Sequence, residues 1–368
     1  MKILHISSAK TFGGGERHFV DLTRGLVERG HEVFAALRPT NEWQSRLDFI
    51  PPENILHVSI RNSFGMFSAK KIARFVRANN IDIVHAHVGR DYIPASIACR
   101  IAKNAKFVLT RHVLFPMKPF HRFAIQNIDR AIAVSSAVQS NLEKIFPKEK
   151  VKLIANGIDT IIRSEEVRKT LSEEFRLSHN IAFDAQIIGI VGELKVLKGQ
   201  RDFVLAAQII AQKFPDAFFL IVGKDNSSNQ KFRQELKRLV KIFRLEERFL
   251  FLDWIEDTAP LFAALDIFVS ASHSESFGLS ILEAMASKCA IVATETEGAK
   301  ELLQNNETAR LFPIKSLIEL ASAIEELLSN KEKRLLLGEN AHIFAKKQFS
   351  LSKMIEETDN LYQEILKT

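Results

Sequence analysis

Twice along this chain, apolar runs of strand length alternate with segments whose apolar residues recur at helical spacing. That alternation leaves few folds open. The first instance starts at once. Lys2–Ser7 reads as a strand, Gly13 to Gly15 as a loop, and Phe19, Val20, Leu22, Leu26 and Val27 as one face of a helix that Gly30 stops before a strand at His31–Leu37. A strand, helix, strand unit requires parallel pairing through a right-handed crossover. Further strands are expected at Ile81–Ala86, Phe107–Thr110, Ile128–Val134 and Val151–Ile154, with helices at Ser68–Asn79 and Pro94–Ala102. Asn156-Gly157 marks a turn. Residues 160–182, polar and without strand signal, read as a connection between domains.

The alternation then restarts. Strands are expected at Ile187–Val191, Ala217–Val222 and Phe249–Leu252, helices at Gln200–Lys213, Lys231–Phe243 and Thr258–Ala264, and a buried strand within Ala263–Ala271. The length of 368 residues suits two cores rather than one. The expectation is an α/β protein with two doubly wound domains, residues 1–160 and 161–350. A final helix, Leu351–Lys367, has no strand after it and is free to pack back on the first domain.

Charge is divided unevenly. Residues 1–160 carry 24 Lys and Arg against 13 Asp and Glu, whereas residues 161–368 carry 27 against 31. A basic first half favours an anionic partner such as a membrane surface or an acidic glycan. Two segments add apolar bulk to that charge: Phe64 to Arg77, and residues 111–123, where Arg, Lys and His alternate with Phe115, Met117, Phe120 and Phe123. Each is a candidate for a membrane interface, and the second equally for an acceptor groove. No nucleic-acid-binding module is recognisable. No run of 18 apolar residues exists, and the N-terminus lacks the pattern of a signal peptide. The two cysteines, Cys99 and Cys289, lie in apolar segments, which suggests a reducing compartment.

The richest stretch is His273 to Thr294, HSESFGLSILEAMASKCAIVAT. A loop leads into a helix, Leu279–Ser287, and then a strand, Ala290–Thr294. Glu275 lies before the helix and Glu283 within it. Ser276 is a candidate N-cap, and Gly278 lets a ligand approach the backbone. Free N–H groups at the helix start suit a phosphate, and helical side chains lean back toward that end, so Glu283 can reach the pocket of Glu275. In GELKVLKGQ, Gly192, Lys198 and Gly199 follow a strand, and a lysine there is a natural phosphate partner. His112 follows the strand Phe107–Thr110, and His85 and His87 fall at the end of the previous strand, on the ligand side of an open parallel sheet. Their spacing does not match a zinc site.

Taken together, GGGERH (13–18), RHV (111–113), NGID (156–159), GELKVLKG (192–199), VGKD (222–225), ESFGLSILEA (275–284) and EGAKE (297–301) resemble, in order and over nearly the whole chain, the retaining nucleotide-sugar glycosyltransferases of the GT-B fold, glycosyltransferase family 4. The resemblance implies two Rossmann-like domains facing a central cleft, with the last helix packed on the first domain. It implies that Glu283 binds the donor ribose and Glu275 the donor sugar, and that the backbone N–H groups of Phe277, Gly278 and Leu279 bind sugar and pyrophosphate. Lys198 would neutralise the departing diphosphate. Gly14 and Gly15 would close over the phosphate, Gly192 would line the donor site, and His112 would lie beside the transferred sugar. Neither metal nor cofactor is implied, the substrate being a UDP- or GDP-sugar. The enzyme would be cytoplasmic, its basic first half touching the inner face of the membrane, and its acceptor would be a glycan or lipid-linked.

One departure stands out. The family's usual arginine before the lysine loop is Glu193 here, which would repel a diphosphate unless it points away or Lys195 or Arg201 supplies the cation. Also, the usual double glycine of the last motif is Glu297-Gly298. Two other functions stay open on these residues: a nucleotide-sugar-binding protein without catalysis, which Glu193 hints at, and a GT-B epimerase, which the spacing of Glu275 and Glu283 argues against.

Overall fold

A computed structural model describes residues 1–60, 65–160 and 164–367. The chain forms two compact units, Met1–Gly157 with Leu351–Thr368, and Ile158–Ser350.

The first unit is built on seven parallel strands: β1 (Lys2–Ser7), β2 (Glu32–Leu37), β3 (Ile55–His57), β4 (Ile83–Ala86), β5 (Lys106–Arg111), β6 (Arg130–Ala133) and β7 (Val151–Leu153). Their order is β3-β2-β1-β4-β5-β6-β7. β1 pairs with both β2 and β4, so the winding reverses between β1 and β4. In such a sheet ligands settle beyond the strand C-termini at that reversal. Ile3, Val33, Ile83 and Val108 pack with Phe19, Leu22 and Leu26 of the helix Gly14–Glu28 to form the core. The terminal helix Leu351–Lys367 belongs to the same core through Met354, Ile355, Leu361 and Ile365. Polar contacts add to that packing: Tyr362 lies 2.5 Å from Nδ1 of His85, and Asp359 lies 2.9 Å from Nε2 of His31. An apolar face at helical spacing thus finds its partner at the far end of the sequence.

The second unit repeats the plan with six parallel strands: β8 (Gln186–Val191), β9 (Ala217–Val222), β10 (Phe249–Leu252), β11 (Ile267–Ser270), β12 (Ala290–Thr294) and β13 (Arg310–Phe312), in the order β10-β9-β8-β11-β12-β13. Its reversal lies between β8 and β11. β11 and β12 are buried throughout, as near-continuous apolar runs should be in a sheet covered on both faces.

Several expectations need correction. Residues 160–182 are not simply a connection. Glu165–Ser178 is a helix whose start is capped by the Ser164 hydroxyl, which accepts the Val167 N–H at 3.3 Å, with Glu165 and Glu166 in its first turn. Phe175 anchors it, and it packs on the helix Ala259–Ala264. Its apolar signal is thin because only one narrow stripe is buried. Asn156 and Gly157 form no regular turn. The Gly157 N–H points at Met354 Sδ, 3.2 Å away, and Ile158 bridges to Ser350. Within Ala263–Ala271 only Ile267–Ser270 is strand, because Ala263 and Ala264 complete a helix. In the basic segment 64–77, Phe64 lies outside the described residues, and Met66–Ala78 is a helix.

Candidate active site

The loops after β8 and β11 flank the reversal of the second sheet, and they are joined to each other. The chain leaving β8 passes Gly192 and forms a short 3-10 turn, Val196–Lys198. The carbonyl of Leu197 accepts the His273 N–H at 2.8 Å, and the His273 ring lies 2.6 Å from Asp202. Between these two links Lys198 Nζ reaches Glu275 Oε2 at 2.6 Å. The Lys198 side chain is 31% exposed and that of Glu275 only 12%. The pair is therefore partly withdrawn from water, where Coulomb attraction is stronger than at an open surface.

The helix Leu279–Ala286 starts beside this pair. Its N-cap position is Gly278, with φ of 101°, rather than Ser276, and no side-chain oxygen caps it. A residue with a Cβ is strained at that φ, which explains the glycine. The first N–H groups of the helix have no partner within it, and the helix dipole adds partial positive charge there. Phe277 is buried, its ring packed edge-on to Phe349, so its side chain fixes the loop and leaves the backbone to act. Glu283 accepts a hydrogen bond from the Thr258 hydroxyl at 3.1 Å, which directs its carboxylate.

Gly298 locks the third loop onto this one. Its N–H donates to the Glu275 carbonyl at 3.0 Å, and a Cβ at that position would fall 2.7 Å from both Glu275 O and Phe277 N. The helix Glu297–Leu302 therefore abuts the Glu275 loop through bare backbone. The Thr296 hydroxyl caps it by accepting the Ala299 N–H. The single glycine that this sequence retains in the motif is the one the close approach requires.

Glu193 is compensated locally. Its carboxylate pairs with Lys195 at 2.5 Å and accepts from Asn226 Nδ2 at 2.9 Å. Arg201 pairs with Glu235 at 3.5 Å. Neither candidate cation is therefore left over to replace the missing arginine: Lys195 balances Glu193 itself.

In the first unit, Gly14 and Gly15 are the first residues of the helix Gly14–Glu28, not part of a loop ahead of it, and Gly13 takes the N-cap position. His112 directly follows β5. Gly15 faces its ring, which would lie 3.7 Å from a Cβ there. Behind His112 lies a group of rings that sequence reading only half located. His18 packs edge-on to His112 with centroids 4.7 Å apart, His5 Nδ1 lies 3.0 Å from His87 Nε2, and His85 Nε2 lies 2.8 Å from Thr110 Oγ1. His85, inside β4 with both ring nitrogens engaged, is a structural residue. His5 and His18 sit on elements whose own patterns gave no reason to group them with the others.

Burial drives the pKa of each of these rings down, to about 3 for His5 and about 4 for His18. It drives His85, His87 and His112 well below the ordinary value, with neighbouring imidazoles adding to the effect. Among the described residues, His5, His85 and His87, and again His18, His87 and His112, hold ring nitrogens within 4.8 Å of one another. In the first trio His5 Nδ1 meets His87 Nε2 and His85 meets two hydroxyls, while His5 Nε2 and His87 Nδ1 are buried without a hydrogen-bond partner among the described residues. Next to it, Asp91 accepts the Ser8 N–H at 2.8 Å, and burial raises its pKa to about 6.

The site residues therefore fall into two groups. Gly192, Lys198, Glu275, Phe277, Gly278, Leu279 and Glu283 belong to the second unit, and Gly14, Gly15 and His112 to the first.

Comparison with known proteins agrees with this division. The family model "Glycosyltransferase Family 4" matches residues 12–161, and "Glycosyl transferases group 1" matches residues 172–344. The chain belongs to the GT-B glycosyltransferases of family 4 type. Among curated proteins it is 28% identical to N-acetyl-alpha-D-glucosaminyl L-malate synthase of Bacillus anthracis, covering 98% of this chain and 97% of that one. It is 24% identical to the lipopolysaccharide core biosynthesis glycosyltransferase LpsE of Rhizobium meliloti, with 95% of each covered. Among solved structures, a glycosyltransferase from Rickettsia africae superposes with a TM-score of 0.86 at 26% identity, covering 100% of this chain and 99% of that one. HepE of Anabaena, crystallised with UDP and glucose, shares the fold with a TM-score of 0.86 at 24% identity and 99% coverage of both chains. This glycosyltransferase thus has the two Rossmann-like domains that its alternating pattern predicts.

Proposed function

We propose that this glycosyltransferase moves a sugar from a UDP- or GDP-sugar to a glycan or lipid-linked acceptor, with retention of anomeric configuration and without a metal, in the synthesis of envelope polysaccharide or lipopolysaccharide. The observation that carries this reading is the 2.6 Å pair of Lys198 and Glu275 beside the uncapped start of the helix Leu279–Ala286. As the anomeric bond breaks, negative charge grows on the diphosphate. An ammonium group and backbone N–H donors aimed at that charge lower the barrier with little reorganisation. Glu275 then does two things: it holds Lys198 in place and offers a carboxylate to sugar hydroxyls. Glu283, aimed by Thr258, is suited to ribose hydroxyls. In the first unit, Gly14 and Gly15 offer the N–H groups of a second helix start, and His112 beside them carries a neutral imidazole. The envelope setting rests on the printed functions of relatives such as LpsE.

No helix among the described residues is long and apolar enough to cross a membrane. We assign attachment at the inner face of the membrane to the basic first unit, where Phe67, Phe115 and Phe123 are 90%, 70% and 73% exposed among Lys70, Lys71, Lys118 and Arg122.

The test is release of nucleoside diphosphate from a panel of nucleotide sugars, beginning with UDP-glucose, with and without a chelator. Release that survives the chelator, and a product anomer matching the donor by NMR, supports the proposal. Tight donor binding without release, even with an acceptor extract present, would make the chain a binding protein instead.

A further inference from the structure

A cavity of about 360 Å³ lies in the first unit, lined by Arg38, Pro39, Thr40, Ser59, Ile60 and Arg90. It has a defined place in the fold. Arg38 is the first residue after β2, Ser59 follows β3 by two residues, and Arg90 follows β4 by four. Every lining residue therefore comes from a loop at the C-terminal edge of the parallel sheet, on the two flanks of the reversal between β1 and β4. This is the side of the sheet that carries ligands, and these residues are not among those that hold the donor.

The chemistry of the lining is one-sided. Among the described residues, no ion pair joins either guanidinium to a carboxylate, whereas Arg17, Arg24, Arg29, Arg130 and Arg201 each have such a partner. The nearest acid in sequence, Asp91, is buried and turned inward to the Ser8 N–H, and Arg90 acts on it only as a nearby positive charge, without an ion pair. Two guanidinium forks therefore share a cavity with the hydroxyls of Thr40 and Ser59. Arginine presents fixed N–H donors that match the oxygens of an anion, and hydroxyls complete such a shell. The two positive charges balance a phosphate monoester, which carries about −1.5 to −2 at neutral pH, better than a single carboxylate.

We infer that the acceptor of this enzyme carries a phosphate monoester, and that Arg38 and Arg90 bind it. The inference rests on the transferase reading only for the word acceptor. The anion site stands on the cavity itself, and it can be tested without turnover.

The experiment is calorimetric titration of the full chain with inorganic phosphate in a Lys198→Ala background, which weakens phosphate binding at the donor site. The Lys198→Ala protein should bind phosphate, and adding Arg38→Gln with Arg90→Gln should weaken that binding at least tenfold. Arg38→Lys with Arg90→Lys, which keeps the charge and loses the fork, should fall between. Both arginines lie in loops, so the melting temperature should hold. If the glutamine pair unfolds, the lysine pair carries the test. Unchanged phosphate binding in the glutamine pair, no binding in the Lys198→Ala background, or malonate binding as tightly as phosphate would each overturn the inference. Competition by glycerol 3-phosphate identifies a soluble acceptor. Competition only by vesicles containing phosphatidic acid identifies a lipid-linked one, and competition by neither overturns the site. Phosphate binding that needs the arginines in a protein that releases no nucleoside diphosphate would sink the transferase reading and leave the anion site standing.

Discussion

Lys198 Nζ and Glu275 Oε2 lie 2.6 Å apart, brought together from loops 77 residues apart in sequence. Each loop ends a strand at the reversal of one sheet, so the contact is a product of topology rather than of local spacing. The pair should act as a unit. Lys198→Ala and Glu275→Ala should each lower turnover by about 10²–10³, the range found when a preorganised electrostatic donor is removed. The double variant should lose little more than the worse single one, because each change already breaks the same interaction. Steady-state rates of nucleoside diphosphate release on the three variants decide it. Fully additive losses would mean that the two residues contribute independently.

Gly298→Ala should damage the same site from behind. The new Cβ would press on Glu275 O and Phe277 N, both backbone atoms that cannot rotate away. The helix Glu297–Leu302 must then shift off the Glu275 loop, at a cost of about 1–3 kcal/mol for overpacking. Donor affinity should fall along with melting temperature, whereas Ala substitution at exposed Lys300 in the same helix should change neither. A Gly298→Ala protein that binds donor with unaltered affinity would show that the contact does not shape the site.

The buried histidines make the first unit sensitive to acid. A histidine whose pKa is about 3 or 4 when folded binds its proton more readily once unfolded, near 6.5. Its contribution to stability is complete above pH 6.5 and declines as pH falls toward the folded value, by about 1.4 kcal/mol per pH unit for each ring that stays neutral. Five rings share the effect. Urea unfolding between pH 7 and pH 5 should therefore lose stability with a slope of more than one proton. His18→Gln should flatten that slope by about one proton. An unchanged slope in the variant would mean that His18 is protonated in the folded protein.

How much of this was legible depends on what each residue touches. Strands such as β8, β9 and β12 were readable because strands covered on both faces are apolar along their whole length. The three-residue edge strands β3 and β13 were missed, being short and only partly buried. The helices Leu317–Ser329 and Lys331–Gln348, which cover the second sheet, lie outside the segments that the sequence pattern predicts. Lys198, Glu275 and Glu283 were found because loops at strand C-termini collect ligand residues. Their supports were not. Asp202 beside His273 and Thr258 beside Glu283 join residues 71 and 25 positions apart, and nothing short of the sheet order brings them together. Ser276 was the wrong cap because a cap is defined by backbone dihedrals, and the left-handed residue here is Gly278.

Glu193 offers the most informative single change. It stands where the resembling family has arginine, and its carboxylate is held by Lys195 at 2.5 Å and Asn226 at 2.9 Å. A negative charge on the donor loop opposes a diphosphate, and the ion pair with Lys195 cancels that opposition while consuming a cation. Glu193→Arg reverses the first charge and releases the second. Donor KM should fall by roughly fivefold, equivalent to about 1 kcal/mol, the upper end for a partly exposed pair. Glu193→Gln, which only releases Lys195, should give a smaller fall. Both effects should shrink in high salt, since the Lys195 side chain is 58% exposed and that of Glu193 34%. If donor KM instead rises in both variants, the Glu193–Lys195 pair is holding the loop in its binding shape, and the glutamate is an adaptation of this enzyme rather than a handicap.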